Sequence, residues 1–594
     1  MIRTPLRPLA SVLHAREIGE NPDMIERENI RVRHEQMRDR SRSRAEGRLL
    51  VLGVMFFCAF GVIGARMSAL AQSEASEPRI SSAGADIIAQ RADIVDRRGR
   101  ILATNLETHS LYAQPQQLID RERAARALVK IFPDLDEERL IADFTGKRKF
   151  LWVKKKISPE QKQAVHDIGD PGLLFGPREM RLYPNGALAA HVLGGASFGR
   201  EGVSAAEVIG VAGVEKRFDD ELRDPANGGK ALTLSLDLTV QAAAERVLFG
   251  GMKLMNAKGA AAILMDVHTG EIVAMVSLPD FDPNERPRPA VEGNAADNPL
   301  FNRAVQGLYE LGSTFKIFTA AQALDLGLAN PATMIKTAGP LKWGKFKIRD
   351  FHNYGAELTL TKVIVKSSNI GTARLAQIIG ATRQQEFLRS LGFFDPTTIE
   401  LTEAKGAVPL LPPNWSELST MTISYGHGLS ASPLHLAAGY AAIANGGTKV
   451  TPTLLKRSAP QHGARLMSAE AAKQARQMLR KVVTEGTASF GEVPGYAVGG
   501  KTGTADKPRE NGRGYHDDKV IATFASMFPA HDPKYVLIVM LDEPVETSGP
   551  KPRRTAGWTA VPVAAEMIGR IAPLLGLRPD VEPGQLAGIT LTSN

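Results

Sequence analysis

Gly312-Ser313-Thr314-Phe315-Lys316 heads a stretch with helical patterning, in which Phe315, Ile317, Phe318, Ala320, Ala321, Ala323 and Leu324 are apolar. If Ser313 opens that helix, Lys316 lies one turn on and on the same face. That spacing brings an amine to a hydroxyl. A serine is a poor nucleophile until a base takes its proton. A lysine serves as that base only when burial or a second cation lowers its pKa, and Phe315, Ile317 and Phe318 supply apolar cover. Ser-x-x-Lys also arises by chance: Ser548-Gly549-Pro550-Lys551 is a second instance, in a Gly/Pro-rich stretch where no helix would set the geometry.

Two more short motifs follow in order. Ser367-Ser368-Asn369 stands between the apolar stretches Val363–Val365 and Ile370–Ala373, which reads as a turn between helices. Ser and Asn there serve either as a helix N-cap, or as a hydroxyl for proton relay (Ser367) and an amide donor to a peptide carbonyl (Asn369). Lys501-Thr502-Gly503-Thr504 ends a strand-like run, Tyr496–Gly500. Alone it reads equally as a turn with a solvated lysine. As a site, its glycines admit a ligand close to the backbone, and an edge strand binds a peptide by β-addition. Lys501, Thr502 and Thr504 would then hold a carboxylate, with Lys501 lowering the pKa of Lys316 and backbone N–H groups of Ser313 and Thr504 forming an oxyanion hole.

Working outward, Ala260–Val267 reads as a buried strand, His268-Thr269-Gly270-Glu271 as a turn and Ile272–Val276 as the return strand. Near the other end, Val520–Phe528 and Tyr535–Leu541 are two more strands around the turn His531-Asp532-Pro533-Lys534. Helical patterns fill the middle, as at Leu375–Ile379 and Ala471–Val483. The expected fold is α+β, with an antiparallel sheet closed by strands distant in sequence and flanked by helices. Upstream, apolar alternation on both sides of Arg98-Gly99 reads as a hairpin, and Arg121–Gly169 reads as charged and helical. No spacing in this region suggests catalysis, so it reads as a non-catalytic pedestal.

Leu49–Ala65 is an unbroken apolar run of seventeen residues, ten of them Leu, Val, Ile or Phe. It spans ~26 Å as a helix, and extension to Ala71 reaches the ~30 Å hydrocarbon core. Insertion is favourable by roughly 3–6 kcal/mol. Arg38, Arg40, Arg42, Arg44 and Arg48 precede it, which places that side in the cytoplasm and the rest of the chain outside the inner membrane. A buried core helix and a cleaved signal peptide ending at Ala69-Leu70-Ala71 are the competing readings. The 48 residues before the run exceed an ordinary signal n-region, which favours an uncleaved anchor. Those 48 residues read as a disordered polar tail with little periodicity. The expected divisions are a cytoplasmic tail (1–48), an anchor (49–71), a periplasmic pedestal (72–255), a catalytic domain (256–575) and a C-terminal tail (576–594).

Composition adds exclusions. Net charge is +9, from 73 Lys and Arg against 64 Asp and Glu. No zinc-finger spacing, RNP-type motif or long basic run beyond the N-terminus accompanies it, so nucleic acid is not the expected partner. Cys58 is the one cysteine and excludes an intrachain disulfide. No metal-ligand cluster is visible.

The three motifs in this order match the S-x-x-K, S-x-N and K-T-G set of penicillin-binding proteins and serine β-lactamases. From about Gly47 to Leu575 the chain resembles a class B penicillin-binding protein. The resemblance rests also on Asp96-Arg97-Arg98-Gly99 with Leu102-Ala103, on Ser110-Leu111-Tyr112-Ala113, on Arg181-Leu182-Tyr183-Pro184, His191-Val192-Leu193-Gly194 and Gly213-Val214-Glu215, and on Phe301–Val305 leading into Glu310–Lys316. Thr502 resembles the division-specific branch; the elongation-specific paralogue more often carries Lys-Ser-Gly-Thr. The resemblance implies a peptidoglycan D,D-transpeptidase without metal or cofactor. Ser313 would attack the D-alanyl-D-alanine bond of a stem peptide on lipid-linked or nascent glycan, with Lys316, Ser367, Asn369 and Lys501 in catalysis and Thr502, Gly503 and Thr504 in binding. It implies acylation by β-lactams, and a polytopic membrane glycosyltransferase and other division proteins as partners. Leu311 departs from the family's proline at that position. Ser-Ser-Asn rather than Ser-Asp-Asn argues against a β-lactamase-like hydrolase, and the short Arg-rich tail offers no signalling domain for a receptor. A catalytically inactive scaffold stays open.

Overall fold

The computed structural model describes residues 7–72, 91–201, 206–289, 292–509 and 514–580. Contacts divide the chain into two units, Met1–Arg79 and Ile80–Asn594. The first is helical: α1 (Arg7–Glu17) and α2 (Asp23–Gln72). The polar tail expected to be disordered is instead helical over Arg7–Glu17 and from Asp23 onward. Asp23 and Glu26 in the first turn suit the helix dipole, and Arg31 pairs with Glu28 and Glu35 at one-turn spacing. Within α2, Glu46–Ser68 forms a 23-residue stretch of mean hydropathy 2.2, long and apolar enough to cross a membrane. Its Leu49, Phe57 and Val62 are exposed, so it is not a core helix of this unit. The protein carries a single-pass membrane anchor near its N-terminus.

The second unit opens with the expected hairpin. β1 (Ile94–Val95) pairs antiparallel with β2 (Ile101–Ala113), and Gly99 takes φ +82° between them. Then follow α3 (Arg121–Ile131), α4 (Glu137–Thr145), β3 (Leu151–Ile157), α5 (Pro159–His166) and β4 (Leu173–Leu182). Asp120, Asp136 and Ser158 cap the three helices with side-chain acceptors. The uniformly helical reading of Arg121–Gly169 is corrected by β3: Leu151, Trp152 and Val153 are strand formers, and they pair with β2, which carries β4 on its other side. Short helices α6 (Ala190–Leu193), α7 (Gly213–Arg217) and α8 (Asp219–Arg223) surround the β5 (Gly195–Glu201) and β6 (Ala206–Ala212) pair. Glu215 on α7 is fully buried and accepts from Arg91 Nε at 2.7 Å, Arg181 Nε at 2.7 Å and Tyr183 Oη at 3.2 Å. β7 (Leu232–Thr233) runs parallel to β1.

Asp237 caps α9 (Leu238–Leu254). β8 (Gly259–Asp266) and β9 (Ile272–Leu278) come next, then α10 (Lys316–Asp325). Beyond it lie the small strands β10 (Met334–Lys336), β11 (Leu341–Trp343), β12 (Phe346–Ile348) and β13 (Glu357–Thr359). Helices α11 (Leu360–Lys366), α12 (Asn369–Ile379), α13 (Ala381–Ser390), α14 (Glu417–Ile423), α15 (Pro433–Ala444) and α16 (Ala469–Glu485) fill the middle. β14 (Gly499–Pro508), β15 (Tyr515–Phe528), β16 (Tyr535–Asp542) and α17 (Ala560–Leu574) close the unit.

The main sheet is antiparallel with order β14-β15-β16-β8-β9, so strands from both ends of the domain meet at β16–β8, where Ile538 faces Ile263. β9 is buried throughout and β8 and β16 nearly so, the pattern of strands covered on both faces. α9 and α17 pack together against the sheet, and α15 packs against β8, β15 and β16. By packing, the catalytic layer therefore reaches back to α9, upstream of the division drawn near Asn256. β14 lies at the sheet edge. The Lys501 motif sits inside this strand, not at its end, because pairing with β15 continues from Gly499↔Met527 to Asp506↔Val520.

Candidate active site

Ser313 sits in a 3-10 turn, Gly312–Phe315, that runs into α10. Thr314, Phe315 and Lys316 are buried around it, while Ser313 itself is part-exposed. Two glycines let the strand reach the nucleophile. Gly312 has φ +55°, and a Cβ there would lie 2.8 Å from the Thr504 carbonyl oxygen. A Cβ on Gly503 would lie 2.3 Å from the Leu311 carbonyl oxygen. Any side chain at either position would force β14 away from Ser313. Tyr440 Oη donates to the Thr314 carbonyl at 2.8 Å and ties the turn to α15.

The two motif lysines converge on one hydroxyl. Lys316 Nζ donates to Ser367 Oγ at 3.0 Å and also to the Ser367 carbonyl. Lys501 Nζ lies 2.9 Å from the same Oγ and 3.0 Å from the Thr502 carbonyl. Both side chains are fully buried. Burial pushes Lys316 well below the usual lysine range, and the Lys501 charge adds to that against the opposing pull of Asp350. Burial pushes Lys501 down to about 7.

Ser367 has φ +63°, the left-handed conformation that ends α11 and turns its hydroxyl toward the amines. In the Ser-Ser-Asn triplet the N-cap reading falls on Ser368, which caps α12 and accepts from Gly371 N at 2.9 Å, while Ser367 faces the lysines. Asp350, which sequence reasoning missed, accepts from Ser368 Oγ at 2.6 Å and from Ile370 N at 3.0 Å. Asn369 lines the cleft with one amide hydrogen given to the Arg349 carbonyl at 2.9 Å, leaving the other for a ligand.

Ser313, Ser367, Asn369, Thr502 and Thr504 line a single cleft of about 400 Å³; Lys316 and Lys501 lie beneath it and Gly503 beside Leu311. Thr502 Oγ1 is 2.7 Å from Thr487 Oγ1, and Thr504 Oγ1 accepts from Ala556 N at 3.0 Å. Beyond Thr487 the wall is aromatic, Phe490 and Trp558 meeting with ring centroids 5.0 Å apart. At the other end Glu310 gathers His427 Nδ1 at 3.1 Å, Gly428 N at 2.7 Å and Tyr515 Oη at 3.1 Å. Burial alone would raise that carboxyl; these contacts hold it below the usual range. Ser424-Tyr425-Gly426-His427-Gly428 carries a Gly-x-Gly spacing that marks the approach, since Gly312 N donates to the Gly426 carbonyl at 3.2 Å. The second Ser-x-x-Lys, at Ser548, falls in irregular chain.

Comparisons with known proteins show the family. Residues 260–566 match the penicillin binding protein transpeptidase domain, and residues 86–235 match the penicillin-binding protein dimerisation domain. The chain is 36% identical to the probable peptidoglycan D,D-transpeptidase FtsI of Caulobacter vibrioides over 93% of each chain. It is 27% identical to the peptidoglycan D,D-transpeptidase FtsI of Escherichia coli, over 82% of this chain and 84% of that one. The crystal structure of penicillin binding protein 3 from Mycobacterium tuberculosis, complexed with aztreonam, superposes with a TM-score of 0.62 at 27% identity, covering 83% of this chain and 98% of that one. The chain therefore belongs to the class B penicillin-binding proteins, on the branch of the division-specific D,D-transpeptidases.

Proposed function

We propose that the protein cross-links peptidoglycan stem peptides during septal wall synthesis through an acyl-enzyme on Ser313. The carrying observation is the pair of buried amines on Ser367 Oγ beside a part-exposed Ser313. Neutral Lys316 takes the Ser313 hydroxyl proton as Oγ attacks the D-alanyl-D-alanine carbonyl. Ser313 N–H and Thr504 N–H stabilise the oxyanion. Ser367 Oγ accepts from both lysines, so its own proton is free for the leaving nitrogen and is replaced from Lys316. The amide C–N bond breaks, D-alanine departs and the ester remains. An amine from a second stem peptide then reverses these proton moves, forming a new C–N bond and freeing Ser313. Lys501, Thr502 and Thr504 hold the terminal carboxylate. The donor adds along the open edge of β14, and Asn369 donates to its backbone.

The Arg-rich flank of the anchor supports a cytoplasmic N-terminus and a periplasmic catalytic domain. A polytopic glycosyltransferase of the division machinery is the partner proposed for the anchor and pedestal. The test is intact-protein mass spectrometry of the detergent-solubilised chain after benzylpenicillin, beside Ser313→Ala. A lasting adduct on the parent alone is the expected result. Rapid loss of the adduct would indicate a hydrolase, and no adduct on folded protein an inactive scaffold.

A further inference from the structure

The leaving group departs at the carboxylate end of the cleft, so the incoming amine must arrive there too. That end, at Thr487 and Thr502, does not stop at the aromatic wall. Phe490 and Trp558 also border a second hollow of about 380 Å³, whose floor is Leu254, Met255 and Pro562. The same three floor residues continue into a groove of about 580 Å³ between α9 and α17. Three adjoining hollows thus follow one another from the Ser313 cleft to the α9–α17 groove, with the Phe490–Trp558 pair between the first two. Their aromatic and aliphatic borders are open to solvent: Leu254 is 72% exposed, Phe490 53% and Trp558 40%.

The hollow also carries a cation, Arg553, whose ion pair with Glu546 in the same loop leaves its hydrogen-bond donors unused. The Arg553 guanidinium lies over the Trp558 ring, 3.7 Å from its centroid. Its nearest acid, Glu546, stands at 3.6 Å, beyond hydrogen-bond reach. Glu546 Oε2 is buried and has no hydrogen-bond partner among the described residues. The loop does not need this pair for closure, because the backbones of Glu546 and Arg553 bond each other at 2.8 and 2.9 Å. A flat cation fixed on an indole face, ion-paired to Glu546 but not hydrogen-bonded to it, keeps its N–H fork for a ligand carboxylate.

We propose that this hollow is the acceptor site: it takes the second stem peptide, with Arg553 binding a carboxylate of that peptide and the aromatic pair guiding its amine to the Ser313 ester. This rests on the transpeptidase reading. The covalent step is the one already described, in which the amine nitrogen bonds the ester carbon, the C–Oγ bond breaks and one nitrogen proton returns to Oγ.

The test uses full-length protein in detergent, a D-alanyl thioester donor, and a stem-peptide fragment with a free side-chain amine and free carboxylates as acceptor. Arg553→Gln is expected to raise the acceptor KM about tenfold or more, the size of a lost charge-assisted hydrogen bond. Acylation by benzylpenicillin should stay within about twofold. Leu254→Ser, an exposed change on the floor, should raise the same KM by a smaller factor. Amidating the acceptor's carboxylates should weaken the parent as much as Arg553→Gln does, and should weaken that variant little further. An unchanged acceptor KM overturns the proposal, as does an equal loss in acylation or additive effects of amidation and substitution. Absence of Ser313-dependent transfer in the parent would instead sink the transpeptidase reading itself.

Discussion

Lys316 and Lys501 are encased within reach of one hydroxyl, so two cations there would repel in a poorly solvated space. The proposed mechanism assigns them opposite states: Lys316 neutral as base, Lys501 charged to hold a carboxylate. Acylation should therefore fall on the acid side as Lys316 takes a proton. It should fall on the alkaline side as Lys501 loses one near about 7 in the free protein, with that limb moving up once a ligand carboxylate is bound. A pH profile of the second-order acylation constant checks both limbs. Lys316→Ala should lower that constant by orders of magnitude with the fold retained, read by stopped acylation and circular dichroism; near-normal acylation would exclude Lys316 as base. Lys501 also bears on stability. Its folded pKa is lowered, so the unfolded chain binds more protons between about 7 and the ordinary 10.5, and folding gains as pH rises through that window. Relative to Lys501→Met, the parent should gain up to ~1.4 kcal/mol per pH unit there, measured by denaturant titration.

At the scale of elements, the site is the contact of a helix start with a strand, and glycine permits it. Gly503→Ala would place a methyl group 2.3 Å from the Leu311 carbonyl and 2.8 Å from Thr314 Cγ2. It should cost ~1–3 kcal/mol of stability and slow acylation more than tenfold by shifting β14. Unchanged acylation would show that the strand can retreat without moving Thr504. These elements were legible in sequence wherever one local rule dominated. Arg98-Gly99 gave its hairpin because only glycine suits φ +82°, and the unbroken apolar runs gave the buried strands. β3 was hidden because Lys154-Lys155-Lys156 looks like a solvated helix face, although the residues before it pair with β2. The catalytic motifs were legible as order and spacing. Asp350, Glu310 with His427, and the Phe490–Trp558 wall were not, because each is assembled by tertiary contact between segments far apart in the chain.

On the scale of the molecule, one hydrophobic core runs from Ile94 and Leu102 in the pedestal hairpin to Ile571 in α17, while a smaller one lies under α3 and α4. Glu215→Ala would leave Arg181 buried without its carboxylate and Arg91 with Asp219 alone, at a cost of ~3–5 kcal/mol. Because the main core is shared, calorimetry should show the pedestal base and catalytic domain melting earlier together, and heat loss of penicillin acylation should move in parallel. A pedestal that melts alone would separate the two. The edge position of β14 has a further consequence for how this protein can evolve under drug pressure. On the proposed reading, donor and β-lactam share the main-chain row of β14, so a substitution that shifts the row, as at Gly503, penalises both. Escape must therefore come from ground that drug and donor do not share. Changes that reshape neighbouring loops, or that speed the second half of the cycle so the acylated protein is cleared by an incoming amine, can separate the two ligands; changes to the strand cannot.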